Sequence, residues 1–205
     1  MAIAVAVLHS AEPILIMERM SVETLLVEYA AGRRDFSYLD LSQSDLFECN
    51  LQDINLQGSD LRQAYLAYAN LSRANLQGTQ LQAAELGNAR LQSANLKQST
   101  LDRANLSRSI LCYADLTEAS LQEANFQSAD LRYSNLAGAN LQAANLVGAD
   151  LQQAKLEGAN IGQCNLFRAQ SVDLDGAIAD AGTIFPDGHR GSNGEWGNQE
   201  RSKAP

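Results

Sequence analysis

The 205-residue chain has few of the side chains that most enzymes use for catalysis or metal binding. It contains two histidines, His9 and His189, and three cysteines that share no CxxC or Cys–His spacing. A histidine-based triad, a zinc site and a disulfide framework are therefore not expected. We expect no enzymatic activity, no metal and no cofactor, since paired acids without a pocket are poor evidence for catalysis.

The sequence also lacks an apolar run that could cross a bilayer. Its longest such run, Ala2 to Leu8, falls far short of the roughly 20 residues that a spanning helix needs. We therefore expect no membrane insertion. No basic residue precedes this run, as one would in a secretory signal peptide, and residues 1–20 are predicted to be a flexible extension.

The charge of the chain is acidic in sum and banded along the sequence. The net charge is −9, and an acidic protein repels nucleic acid phosphates, so direct nucleic acid binding is not expected. Residues 36–60 hold five acids and no bases (−5), residues 61–110 two acids and six bases (+4), and residues 111–170 six acids and three bases (−3). The middle of the chain is therefore the basic band.

A five-residue repeat dominates the sequence. From Phe36 to Leu166 every fifth residue is large and apolar, in 27 consecutive positions without an insertion. The residue two before each centre is small in nearly every repeat, and the residue just before the centre is Asp or Asn in 19 of 27 cases. The unit reads A(N/D)Lxx. Since aromatic residues are only 6% of the chain, the core must be aliphatic.

This period fits neither regular element. At about 100° per residue, an α-helix would rotate successive centres by about 140°, and a strand would alternate them between its two faces. The backbone must therefore turn in every repeat, which predicts a solenoid of stacked coils with the leucines inside. Glycines at 58, 78, 138 and 158 share one phase of 20 residues, which suggests four repeats per coil.

The run ANLSRANLQGTQLQAAELGNARLQSANL, with ADLRYSNLAGANLQAANLVGADLQQAKLEGANI further along, resembles the pentapeptide repeat family. The resemblance implies an all-β solenoid, a right-handed quadrilateral parallel β-helix, with the central leucine and the small residue pointing inward. It also implies no enzymatic activity in the repeats. On that geometry the repeats form about 6–7 coils, a rod of roughly 32 Å. Cys49 and Cys164 fall at the small inward position, and Cys112 points outward.

The flanking segments are predicted to cover the ends of the solenoid, because an exposed coil edge invites polymerisation. Ser21 is a candidate N-cap and Gly32 a candidate terminator of a short capping α-helix over 21–32. Its apolar stripe is Val22, Leu25, Leu26 and Tyr29; docking to a partner is the alternative role for this helix. We assign 33–170 to the β-helix, 171–188 to a C-terminal cap and 189–205 to a disordered tail.

One side of the 20-residue coil gathers arginine, tyrosine and an unusual outward isoleucine. Its members, which we call the arginine–tyrosine face, are Arg73, Arg90, Ile110, Tyr113, Arg132 and Tyr133, with Cys112 beside them. Arginine and tyrosine are enriched in interface hot spots, so we predict a protein-binding face on which Tyr113 and Tyr133 stack. The alternative is that these aromatics only stabilise neighbouring coils.

Two functions remain open from the sequence. The first is a non-enzymatic, rigid protein–protein interaction scaffold with an unidentified protein partner, including regulatory use; the uninterrupted repeats, the helix before them and the PDG at 186–188 resemble cyanobacterial members of the family. The alternative is a DNA mimic that binds DNA gyrase or topoisomerase, as some members do in quinolone resistance. We expect a monomer or an end-to-end dimer in the cytoplasm, or in the thylakoid lumen or periplasm if residues 1–20 are a signal peptide.

Overall fold

Three short elements open the fold of the computed structural model, which describes residues 17–191. They are strand β1 (Glu18–Arg19), helix α1 (Val22–Ala30) and strand β2 (Leu39–Asp40), and β1 pairs with β2 in parallel. Our predictions for residues 1–16 and 192–205 lie outside the described residues. Within the described part, no helix is both long and apolar enough to span a bilayer.

From residue 35 to Ile184, the described chain is a ladder of single parallel bridges. From Asp35↔Asn55 to Asp150↔Gln170, each bridge joins residues that are 20 apart. Four five-residue repeats therefore complete one coil, and each side of the coil stacks on the same side of the next. Residues 20 apart therefore form columns along the solenoid, and the columns of outward positions make up its surface.

Each repeat contains a tight turn that follows its central residue. In the repeat centred on Leu91, the backbone N–H of Ala94 donates to the Leu91 carbonyl over 3.0 Å. Ser93, the third residue of this turn, has φ of 57°. This is the pattern of a type II turn, whose third residue must have a positive φ. The turn bends the chain after every centre, as the five-residue period requires.

The Asp/Asn position has a local structural use. In the coil ladder the N–H groups of the centre and of the second residue after it donate across coils, as at Leu76 and Gly78. The N–H of the intervening residue is satisfied by a side chain instead, and at Gln77 the acceptor is Oδ1 of Asn75, at 3.3 Å. Asp and Asn hydrogen-bond in this way to the backbone two residues on, which explains their abundance here.

The interior is filled by the two inward positions of each repeat. All 27 central residues are at most 4% exposed. At most small positions that hold Ser or Thr, the hydroxyl donates back to the preceding central carbonyl, as Ser99 does to Leu96 over 2.6 Å, whereas the Ser59 hydroxyl donates to the Phe36 carbonyl in the coil before. The buried hydroxyl therefore has a partner and avoids the penalty of an unpaired polar group. Cys164 fills a small position and is fully buried, whereas Cys49 and Cys112 are half-buried, and all three are free thiols.

At the start of the fold, the extension is shorter than predicted. Ser21 is the N-cap of α1 and accepts from the Thr24 N–H, as predicted. The assignment of all residues up to 20 to a flexible extension is wrong, because Glu18 and Arg19 pair with β2 and Arg19 also binds the Asp40 carboxylate at 3.2 Å. This ion pair and the backbone ladder hold the segment against the first coil.

At the other end, the phase of the repeat breaks but the coil does not stop. The ladder continues with Asn160↔Ile178 and Asn165↔Ile184, which are 18 and 19 residues apart. The chain then turns back, and Arg190 pairs antiparallel with Ile184. The prediction of a disordered tail from residue 189 is therefore wrong for 189–191: a turn closed by Gly188 N–H on the Phe185 carbonyl returns these residues to the cap.

Candidate functional site

The structure brings the predicted arginine–tyrosine face together on one side of the coil. Arg90 and Ile110 are bridge partners, and Ile110 in turn pairs with Asp130. The three side chains therefore form one outward column, beside the column that contains Arg73, Tyr113 and Tyr133. The placement expected from the 20-residue phase is thus observed, while the role of these residues in binding stays a prediction.

The two tyrosines form a stacked pair on this face. The ring centroids of Tyr113 and Tyr133 are 4.9 Å apart with an angle of 4° between the ring planes, which confirms the predicted stacking. Their side chains remain 61% and 41% exposed. Exposed stacked rings offer a flat, rigid apolar surface at little cost in side-chain entropy, which suits a protein interface.

The arginines of the face differ in how they are held. Arg73 binds Asp53 in the coil before it through two hydrogen bonds of 2.7 Å each. Arg132 binds Asp130 in the same coil at 2.7 and 2.8 Å and approaches Asp150 at 3.7 Å. Arg90 is exposed and makes no ion pair within residues 17–191. Two of the three guanidiniums are therefore fixed by carboxylates, and Arg90 is available to a partner.

These pairs change the titration of the groups that make them. Hydrogen bonds from the Arg132 guanidinium lower the pKa of Asp130, and the same pair raises the pKa of Arg132. The Arg73 guanidinium likewise lowers the pKa of Asp53. All four groups are therefore charged at neutral pH, and the face is close to electrically neutral rather than basic.

The acidic and basic bands of the rod are joined by such pairs. Three bases of the middle band form ion pairs with carboxylates in neighbouring coils. The pairs are Arg73–Asp53, Lys97–Asp115 and Arg103–Glu123. The positive band seen in the sequence is consequently offset by acids from both sides. Each exposed pair adds little stability, but together they reduce the contrast between the bands.

Sequence reasoning missed two features of the outer surface. It did not identify the carboxylates that neutralise the arginines, because ion pairing depends on side-chain conformation as well as on register. It also overlooked an exposed aromatic cluster on the adjacent side of the coil, where the Phe47 ring lies 5.5 Å from Tyr65 and 5.8 Å from Tyr68. The signal was present, since 45–48 and 65–68 are equivalent segments of successive coils.

Two surface features bear on metal binding and acid–base chemistry. Between 17 and 191, no three His, Cys, Asp or Glu side chains are grouped so that they could hold a metal ion. A shallow depression of about 550 Å³ beside the C-terminal cap contains Asp180, but this carboxylate accepts the backbone N–H groups of Gln163 and Gly182. These hydrogen bonds lower the pKa of Asp180. Its carboxylate stabilises the cap and does not resemble a general base.

Comparison with known proteins identifies the repeat. A family model described as pentapeptide repeats matches the chain in eight copies, over residues 34–63, 59–98, 99–136 and 134–169. No curated protein matches the chain by sequence. The matched residues include every coil that carries the arginine–tyrosine face.

Solved structures of similar proteins share the fold. A trypsin-treated variant of QnrB1, a plasmid-mediated fluoroquinolone resistance protein, is 16% identical with a TM-score of 0.55, covering 83% of this chain and 86% of its own. HetL, a pentapeptide repeat protein involved in heterocyst differentiation regulation from the cyanobacterium Nostoc sp. strain PCC 7120, is 29% identical with a TM-score of 0.41, covering 83% of this chain and 99% of its own. Structural neighbours of this kind are right-handed quadrilateral β-helices, the fold class expected from the sequence.

Proposed function

The chain belongs to the pentapeptide repeat family, and we propose that it is a non-enzymatic, rigid scaffold that binds a protein partner through the arginine–tyrosine face. The observation that carries this proposal is the exposed, stacked pair Tyr113–Tyr133. The ring surface that the stack leaves open to solvent is available to a partner. Aromatic anchors of this kind dominate binding energy in protein interfaces.

The surroundings of the tyrosines support a binding role. Ile110 takes a slot that is mostly Asp or Asn elsewhere and adds apolar area next to Tyr113. Arg132 is held by Asp130 on the same face, so its guanidinium is already oriented and loses little side-chain entropy on binding. Arg90, without an ion-pair partner in the described chain, supplies a charge at the edge. The face thus combines an apolar centre with a polar rim.

The test is affinity capture with a matched control. The tagged wild-type chain, the double variant Tyr113→Ala, Tyr133→Ala and the single variant Tyr38→Ala are used to capture proteins from the native host, followed by mass spectrometry. Tyr38 is also an exposed tyrosine after a repeat centre, but it lies on another side of the coil. We expect the double variant to lose a partner that Tyr38→Ala retains. If a folded double variant keeps every partner, the proposal is wrong.

The alternative function is a DNA mimic that acts on DNA gyrase. It draws on the fold shared with QnrB1, whereas the offset charge bands and the uninterrupted coils over 36–166 favour the scaffold. A mimic needs a strongly acidic surface, because it must compete with phosphates for a basic groove. A gyrase supercoiling assay with ciprofloxacin separates the two functions. Protection of gyrase would favour the mimic, and no protection is expected for the scaffold.

We also propose that the rod has about 6–7 coils and that α1 seals the first of them. Leu25 is the helix residue that is completely buried, and Tyr29 donates from its hydroxyl to the Gln52 carbonyl over 2.8 Å. Replacing Leu25→Glu should detach the helix and expose the first coil edge, which favours self-association. Sedimentation velocity should show oligomers of this variant, and a monomeric, equally stable variant would contradict the capping role.

A further inference from the structure

The second exposed surface of interest is the aromatic cluster, which lies on a different side of the coil from the arginine–tyrosine face. Tyr65 and Tyr68 flank Ala67 in one coil, and Phe47 lies in the same column as Ala67 one coil earlier. The Phe47 and Tyr65 rings are nearly parallel, at 6°, whereas Phe47 and Tyr68 meet edge to face, at 78°. The three rings therefore lie together on the outer surface, next to Ala67, which is only 9% exposed.

All three rings are open to solvent. Their side chains are 41% exposed at Phe47, 44% at Tyr65 and 55% at Tyr68. The next residue in the column of Phe47 and Ala67 is Gly87, which has no side chain to cover the rings from the following coil. A flat side chain that enters from solvent can therefore stack on the exposed ring surface.

Three carboxylates border these rings. The bridges Asp45↔Tyr65 and Tyr65↔Glu85 place an acid in the coil before and in the coil after Tyr65. At strand spacing these two acids are about 10 Å apart. Glu48 occupies the column of Tyr68, one coil earlier, because its backbone N–H donates to the Ala67 carbonyl while that of Tyr68 donates to the Gly87 carbonyl. We call the six residues the aromatic–acidic patch: Asp45, Phe47, Glu48, Tyr65, Tyr68 and Glu85.

The carboxylates of the patch are not neutralised by the described chain. Within residues 17–191, Asp45, Glu48 and Glu85 form no ion pair, whereas acids on neighbouring sides do, as Asp53 does with Arg73 and Asp60 with Arg62. Asp45 accepts the Phe47 backbone N–H and Glu85 accepts the Asn105 amide, both neutral donors. The patch therefore has an uncompensated negative charge next to its rings.

Elsewhere in the chain, arginine covers aromatic rings. Arg34 lies over Tyr29 at 4.0 Å, Arg33 over Phe36 at 4.5 Å and Arg168 over Phe167 at 5.0 Å. No such cation lies over Phe47, Tyr65 or Tyr68 in the described residues. The negative faces of aromatic rings attract a guanidinium, and the attraction grows when carboxylates are close. In the part of the chain that the structure describes, no basic side chain stacks on these rings or pairs with these acids.

We propose that the aromatic–acidic patch binds a segment of a partner protein through arginine side chains. A guanidinium stacks on the tyrosine rings and donates hydrogen bonds to the carboxylates that border them, with Asp45 and Glu85 able to receive arginines on either side of Tyr65. A second copy of the same chain is disfavoured as the occupant, since its net charge is −9. The patch and the arginine–tyrosine face lie on different sides of the coil, so the two proposals can fail independently.

The experiment is a heteronuclear NMR titration of the full chain with short blocked peptides. The probes are acetyl-Arg-Gly-Arg-Gly-Arg-amide and its citrulline counterpart, which keeps the shape and loses the charge. We expect amide shifts centred on 45–48, 65–68 and 85–88 and an affinity for the arginine peptide at least fivefold higher than for citrulline. Equal affinity for both peptides, shifts centred elsewhere, or self-association through the patch without peptide would overturn the proposal.

Variants separate the contributions of rings and acids. The pair Tyr65→Leu, Tyr68→Leu removes two rings. The triple change Asp45→Asn, Glu48→Gln, Glu85→Gln removes the charge, while the amide introduced at position 45 keeps an acceptor for the Phe47 N–H. Each set should weaken arginine-peptide binding at least fivefold. The matched control, Tyr113→Leu with Tyr133→Leu, removes two stacked rings from the other face and should leave binding unchanged. Equal weakening by the control would refute the assignment to the patch.

Discussion

Individual residues divide between two inward positions of fixed chemistry, an outward position that favours Asp or Asn, and two outward positions after the centre that vary freely. The central position is a large apolar residue because each one is enclosed by its own coil and the two adjacent coils. The small position is limited by the width of the coil, which admits a thiol or a hydroxyl as well as a methyl group. Cys164 fits this description: its thiol donates to the Leu141 carbonyl, and burial raises its pKa to about 12. It should consequently be inert to thiol reagents in the folded state.

The size of the interior contribution can be measured at one central leucine. Leu101 is fully buried in the middle of the rod, and Leu101→Ala should lower the free energy of unfolding by about 2–5 kcal/mol through the cavity it leaves. Urea unfolding followed by circular dichroism provides the measurement. Gln127→Ala, at an exposed outward position, is the control and should change stability by less than about 0.5 kcal/mol. A loss below about 1 kcal/mol at Leu101 would contradict its place inside.

A second residue-scale prediction concerns acid stability at the Asp130–Arg132 pair. Because the pKa of Asp130 is lowered in the folded state from its ordinary value of 3.8, its contribution is fully present above that value and is lost as pH falls through the lower folded value. In Asp130→Asn the amide still accepts the Arg132 N–H but does not titrate. Urea unfolding between pH 5 and pH 2 should show a shallower acid loss in the variant. An identical pH profile would mean that the pair contributes nothing.

The turn is the element that converts a five-residue period into a coil. Its third residue has a positive φ in every repeat, although the residue is often not glycine, as at Ala83 with φ of 54°. A non-glycine residue there is strained, and the strain is tolerated because each turn is held by the ladder and by the packed centre. The turn therefore depends more on the packing around it than on which residue occupies its third position.

This strain can be measured with a matched pair of substitutions. At Gly78 φ is +64° and an added Cβ would meet nothing within 4 Å. The change in stability of Gly78→Ala therefore measures the cost of the backbone conformation, without a steric clash. The substitution should cost about 1 kcal/mol, the penalty of a left-handed conformation, whereas Ala83→Gly should be neutral or stabilising. Thermal unfolding of the two variants gives the comparison. A stabilising Gly78→Ala would show that the turn does not strain an L-residue.

The elements also show how far the sequence could predict the structure. The five-residue spacing predicted the coil and its inward leucines, and the family resemblance added the inward small residue. The 20-residue phase placed Arg90 next to Ile110. The sequence placed a cap at 171–188 but could not predict that the ladder continues through it, because the spacing shortens to 18 residues at Asn160↔Ile178 and no repeat signal remains. The sequence could not predict the ion pairs either, because Arg132 binds Asp130 in its own coil whereas Arg73 binds Asp53 in the coil before.

At the scale of the whole molecule, stacking makes the protein nearly one-dimensional. Each coil contacts only its neighbours, so stability is close to a sum of coil and interface contributions, and surface properties vary by side and by height. This arrangement allows a single rod to present two chemically different surfaces, the arginine–tyrosine face and the aromatic–acidic patch, on separate sides. The packed interior keeps both in fixed positions relative to each other.

The 20-residue register is the claim on which the inward core, both surfaces and the ion pairs between coils depend. Its most direct test is a nuclear Overhauser spectrum of the labelled chain that resolves contacts between backbone protons of bridge partners such as Asn75 and Asn95. We predict cross-strand contacts between residues 20 apart throughout 35–170, with the methyl groups of Leu81 and Leu101 contacting each other in the interior. Sequential helical contacts through the repeats, or a different residue spacing, would contradict it.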